Sequence, residues 1–138
     1  MAFWFWRKRS KVTYTDPMLG EIVYRYGAWM GRATVEGIGE VHFSVTGDKS
    51  KPDFRSVLHA KTILGNFGTF LVAAENFLKT QDLGDWLDPV NGELEFQAFA
   101  ATQVVGAFEL NFGLSKWPDA MIGVSFVGGQ PVEVNLAD

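Results

Sequence analysis

Apolar and polar residues alternate along two stretches of the chain, and a helical spacing separates them. Ile22, Tyr24 and Tyr26 alternate with Glu21, Val23 and Arg25. Trp29, Ala33 and Val35 alternate with Met30, Arg32, Thr34 and Glu36, and Val41, Phe43 and Val45 with Glu40, His42 and Ser44. A period of two sends successive side chains to opposite faces, so each run predicts a strand with one buried and one wet face. Asp16-Pro17-Met18-Leu19-Gly20 is a turn signal ahead of the first run. Gly37-Ile38-Gly39 links the second to the third. Three adjacent strands with short links predict an antiparallel meander.

From Pro52 and Asp53, which suit a helix start, apolar residues recur at helical spacing to about Thr80. Phe54, Val57, Leu58 and Leu64 form one stripe. Phe67, Phe70, Leu71, Ala74, Phe77 and Leu78 form another, rotated around the axis. The phase changes at Gly65-Asn66-Phe67-Gly68, and two glycines there predict a kink or a break. A loop, 82–92, follows. Leu94, Phe96 and Ala98 then begin a fourth strand, in which Phe99 breaks the alternation as a bulge or twist would. Phe108 to Leu114, Ile122 to Phe126 and Val132 to Leu136 predict three more, the last two joined through Gly128-Gly129. Pro131 lacks an N–H, which places the last strand at an edge. The expected fold is α+β: β-meander, helical segment, β-meander, with an antiparallel sheet and the helix packed on one face.

Length and composition add few constraints to this pattern. The 138 residues, 47% hydrophobic and 20% charged, suit one soluble globular domain, read as an aromatic and basic leader over 1–14 and a single α+β domain over 15–138. The absence of cysteine excludes disulfides, thiolate zinc sites and a cysteine nucleophile. Charge is more informative. The net charge is −4, yet residues 80–138 carry nine acids and one base, Lys116, whereas residues 1–14 carry Arg7, Lys8, Arg9 and Lys11 and no acid. An acidic half repels phosphate backbones, so no nucleic-acid partner is expected. A basic protein partner would be steered to it. The plainer alternative is a solvated strand face.

The opening segment, Met1 to Lys11, reads MAFWFWRKRSK. Its apolar run is short and its charge follows rather than precedes it, unlike a secretory signal. Nothing else approaches the ~20 apolar residues of a membrane span, so a cytoplasmic location is expected. Phe3, Trp4, Phe5 and Trp6 ahead of the basic cluster are suited to a membrane interface, which makes peripheral attachment through residues 1–11 an alternative.

Few groups on the chain suggest chemistry. His42 shares a strand face with Glu40 and Ser44, and His59 lies on the helix covering the opposite face. The sheet is therefore expected to part them, each at a solvent edge, and no metal site or cofactor is predicted. Gly123-Val124-Ser125-Phe126-Val127 lacks the last glycine of a nucleophile elbow, and Gly37-Ile38-Gly39-Glu40-Val41-His42 lacks the third glycine of a dinucleotide loop. Asp82, Asp85, Asp88, Asn91 and Glu93 are close in sequence, but without the every-second-residue spacing of a calcium loop. The stronger feature is Trp86 set among three aspartates, with Trp117 and Asp119 in a second loop. Tryptophan is favoured at interface hot spots, and a ring framed by acids suits a basic partner.

Residues 16–48, with Asp16-Pro17-x-x-Gly20 opening a strand and Trp29-x-Gly31 within the next, resemble a loose group of uncharacterised bacterial proteins. Phe108-Glu109-Leu110 and Trp117 ahead of Ile122-Gly123-Val124 are similar too. Where members of that group often carry a histidine before the penultimate strand, this chain has Met121, so no role for one transfers. Some members have been proposed as immunity or antitoxin-like proteins, and the resemblance implies a function of that kind. The expected function is a non-catalytic protein-interaction module that uses Trp86, Asp82, Asp85, Asp88, Trp117 and Asp119. A small carboxylate-based or metal-dependent enzyme built on the same loop acids is the alternative.

Overall fold

The computed structural model describes residues 11–138. The aromatic side chains Phe3 to Trp6, on which membrane attachment was predicated, lie outside the described residues. The elements are β1 (Thr13–Asp16), β2 (Gly20–Arg25), β3 (Ala28–Val35), β4 (Gly39–Val45), α1 (Phe54–Gly65), α2 (Phe67–Lys79), β5 (Leu94–Ala101), β6 (Phe108–Leu114), β7 (Trp117–Val127) and β8 (Gln130–Ala137). A 3₁₀ turn, Pro89–Asn91, precedes β5.

Among the described residues the eight strands form one sheet whose spatial order is the chain order, β1 to β8. Neighbours pair antiparallel except β4 and β5, which run parallel, with His42 opposite Ala98 and Val45 opposite Ala101. The two helices cause this exception. They return the chain from the end of β4 to the opposite end of the sheet, so β5 restarts in the direction of β4. The two expected meanders are thus joined into one α+β layer pair.

Local chemistry sets the boundaries. Asp16 Oδ1 accepts the N–H groups of Met18 (2.8 Å) and Leu19 (3.0 Å), which closes the first turn. Tyr26 and Gly27 both have positive φ, 53° and 82°. They form the tight turn between β2 and β3, where alternation had placed Tyr26 in the strand. Gln97 is the bulge signalled by Phe99: Phe96 pairs with Phe112 and Ala98 with Asn111. The helical segment breaks at Asn66, and α1 and α2 meet at 79°. No single described helix is long and apolar enough to cross a membrane.

The core lies between the helices and one face of the sheet. Val41, Phe43, Val45, Phe99, Leu110, Phe112, Ile122, Val124 and Phe126 meet Val57, Ala60, Ile63, Phe67, Ala74 and Leu78 there. Phe67 sets its edge to Phe96 and Phe70 to Phe108, both with centroids at 4.9 Å. Trp29 is fully buried, and its Nε1–H donates to the Asp48 carbonyl at 2.8 Å.

The predicted stripe of α1 is only partly the buried one. Phe54 and Leu58 face solvent, and Ser56, Val57, His59, Ala60 and Ile63 face the core. The polar members are satisfied internally, which lets a polar residue occupy an inward position. Ser56 hydrogen-bonds the Thr46 hydroxyl. The His59 ring accepts the Gly106 N–H on Nε2 (3.1 Å) and donates Nδ1–H to the Thr102 carbonyl (2.9 Å). His59 is therefore a buried core residue, a correction to the solvent-edge position expected for it. His42 lies on the open face as expected, with Nε2 3.1 Å from Glu40 Oε1.

Candidate functional site

The loop between α2 and β5 is shaped by its own side chains. Asp82 Oδ1 accepts the Gly84 N–H at 3.1 Å, and Asp88 Oδ1 caps the 3₁₀ turn by accepting the Val90 N–H at 2.9 Å. Asn91 Nδ2 donates to the carbonyls of Asp85 (2.9 Å) and Trp86 (3.2 Å). The loop is then fastened to the β6–β7 turn. Glu93 N–H donates to Ser115 Oγ (2.7 Å), Ser115 N–H to the Glu93 carbonyl (2.9 Å), and Lys116 N–H to the Asn91 carbonyl (3.1 Å). Gly92, at φ 88°, permits this approach, because a Cβ there would overlap Ser115 Oγ.

This docking brings Trp86 and Trp117 together, with centroids 4.4 Å apart and ring planes at 39°. Both rings are half-buried and pack on the rim of the core. Trp117 is the first residue of β7 rather than a loop residue. Asp82, Asp85, Asp88 and Asp119 are all exposed. The carboxylates of Asp82 and Asp88 are turned to their own backbone, whereas Asp85 lends its neighbours only its carbonyl.

Register explains how acids spread along 57 residues of sequence meet in space. Leu94 and Trp117 both pair with Leu114, and Met121 pairs with Ala137. The starts of β5 and β7 and the ends of β6 and β8 therefore share one end of the sheet. Asp82, Asp85, Asp88, Glu93, Glu95, Asp119 and Asp138 lie toward this end, which also carries the tryptophan pair. Among the described residues, Lys116 and Lys79 also lie toward this end, the latter beside Leu87 and Gly92 at the end of α2. Because strand order equals chain order, the charge asymmetry of the sequence becomes an asymmetry of the surface.

Sequence reasoning missed a second group, on the open face. Glu109, Ser125 and Glu133 are cross-strand partners, and Asn111, Gly123 and Asn135 form the next row. Asn135 Nδ2 donates to Glu109 Oε2 (3.3 Å) and to Ser125 Oγ (3.0 Å), and Ser125 Oγ donates to Glu109 Oε2 (3.4 Å). Asn111 Oδ1 is buried without a donor among the described residues. Gly123 lets the Glu109 and Asn111 side chains lie flat on the sheet. Alternation marked Glu109 and Asn111 as outward-facing, but only the register of three strands joins them to Ser125 and Asn135.

A cleft of about 700 Å³ opens at the N-terminus of α1 and includes Tyr14, Asp16, Asp48, Lys51, Asp53 and Phe54 in its lining. Its carboxylates are engaged in holding the fold. Burial pushes the Asp16 carboxyl up, but the Lys61 ammonium (2.8 Å) and the N–H groups of Leu19 and Met18 outweigh it and hold its pKa below the ordinary value. The Asp48 carboxyl is also held low, by the hydroxyl and N–H of Ser50 and the N–H of Lys51. Asp53 caps α1 through the Arg55 N–H at 2.9 Å. Among the described residues, no three histidine or carboxylate side chains converge as a metal-ligand set. No protein-family model, curated protein or solved structure matches the chain.

Proposed function

We propose that the chain is a non-catalytic interaction module that binds a basic protein through the acidic end of β5–β8, with Trp86 and Trp117 as the apolar anchor. One observation carries this reading: seven carboxylates from separate segments lie at the end of the sheet that presents a tilted, half-buried tryptophan pair. A rigid aromatic surface inside a net negative field supplies both a contact with large area per side chain and long-range attraction for a cation-rich partner. Two of the carboxylates, Asp82 and Asp88, also stiffen the loop that presents Trp86, so the anchor is ordered before binding and loses little entropy on contact.

The test is affinity capture with the full chain, purification of the captured basic protein, and measurement of its affinity. Asp85→Lys combined with Asp119→Lys changes exposed carboxylates that brace nothing. The double variant should weaken binding at least tenfold, about 1.4 kcal/mol, and flatten its dependence on salt while leaving the melting temperature in place. Affinity unchanged by the charge reversal removes the proposal.

A further inference from the structure

We infer that the free edge of β8 is a docking strand for an extended segment of the basic partner, one in which apolar residues alternate with lysine or arginine. This rests on the reading above and adds the place and conformation of the bound segment.

Among the described residues β8 has no neighbour on its outer side, so a row of backbone N–H and C=O groups is left unpaired. Such an edge pairs with incoming strands unless it is short or carries lysines, prolines or bulges that repel them. The opposite edge, β1, is four residues long, whereas β8 runs for eight. It contains no lysine or arginine, and its single proline, Pro131, and its bulge at Val132, between the Phe126–Pro131 and Ser125–Glu133 pairs, lie at the start of the strand and leave Glu133 to Ala137 open.

The two sides of β8 differ in the way such a segment would read. Val134 pairs with the buried Val124 and Leu136 with the buried Ile122, so these side chains point to the helix-covered face. One strand further in, that face is sealed: Ile122 and Val124 are 0% exposed. On β8 it is not, since Leu136 is 40% exposed. A ninth strand with apolar residues on this side would complete the layer. On the other side stand Glu133 and Asn135, with Glu109 behind them. Basic residues on that side of the incoming strand would meet carboxylates. A second copy of β8 would instead bring only Glu133 and Asn135 to that side and no basic residue, so it lacks the opposite-charge pairing that favours the basic segment.

The experiment adds two eight-residue peptides to the full chain, one alternating valine and lysine, the other with four lysines followed by four valines. They share charge and composition, and only the first has the pattern of the docking strand. The alternating peptide should bind at least tenfold more tightly and slow hydrogen exchange of amides within Glu133 to Ala137. Glu133→Lys should reduce its binding at least tenfold. Equal binding of both peptides, lost in the Asp85→Lys/Asp119→Lys variant and without slowed exchange in β8, would overturn the edge inference and leave the acidic-end reading intact. Slowed exchange at β1 instead, or slowing at β8 that rises with protein concentration before any peptide is added, would also overturn it. No binding of either peptide would count against both readings.

Discussion

The Lys61 ammonium lies 2.8 Å from the carboxylate of Asp16, joining the middle of α1 to the first turn of the sheet. Asp16 is 5% exposed, and its other oxygen already accepts two backbone N–H groups. Replacing Asp16 by Asn keeps an acceptor for the turn but strands the ammonium. The expected loss is about 2–3 kcal/mol, less than for a fully buried pair because Lys61 reaches solvent.

The same pair sets a pH dependence. The folded pKa of Asp16 is below its ordinary 3.8. Its stabilisation is thus fully present above that value and is lost as the pH falls below it, through the lowered folded value. Thermal melts between pH 5 and pH 2 should show the native protein losing more stability than Asp16→Asn over that range. Parallel curves would refute the linkage.

His59 ties α1 to the β5–β6 connection through both ring nitrogens. His59→Leu fills the space but leaves the Gly106 N–H and the Thr102 carbonyl without partners, at a cost of about 2–4 kcal/mol. Urea unfolding measures the loss. Hydrogen exchange should accelerate first at residues 104–107, because Gly106 also accepts the Gly129 N–H of the neighbouring turn.

Two glycines should respond differently to alanine. At Gly47 a Cβ would lie 2.6 Å from the Pro52 Cα and 2.7 Å from the Lys51 carbonyl oxygen, both backbone atoms fixed by the start of α1. At Gly123 it would lie 2.9 Å from the Glu109 carboxyl, the far end of a flexible side chain. Gly47→Ala should cost about 2–3 kcal/mol and Gly123→Ala about 1 or less, since overpacking is costly only where neighbours cannot move. Denaturant midpoints of the two variants, ranked the other way, would contradict this.

Trp86 and Trp117 should be energetically coupled. Alanine at either position removes the same ring contact, so the double variant should lose less than the sum of the singles by about 0.5–1.5 kcal/mol. Strict additivity in a double-mutant cycle would mean that the 4.4 Å contact contributes nothing beyond burial.

Much of the fold was legible because period two and helical spacing are properties of neighbouring residues. Phe99 announced the bulge at Gln97, Gly65-Asn66-Phe67-Gly68 announced the break in the helix, and Pro131 announced the edge strand. The inward face of α1 was less legible. Ser56 and His59 are polar, and only their partners at Thr46, Thr102 and Gly106 make burial affordable. Tyr26 was misplaced because an apolar residue at positive φ continues the alternation of the strand it ends.

By itself the sequence determined the order of the elements from β2 to β8, the faces those strands bury and the uneven placement of charge along the chain, since all three follow from composition within short windows. β1, four residues without a clear alternation, is not legible as a strand. Only the tertiary structure decided that β4 and β5 run parallel, that Trp86 touches Trp117, and that Glu109, Ser125 and Asn135 form one group. These depend on register and on where a crossover returns the chain. Backbone pairing and core packing fix both across dozens of intervening residues, and no local pattern encodes them.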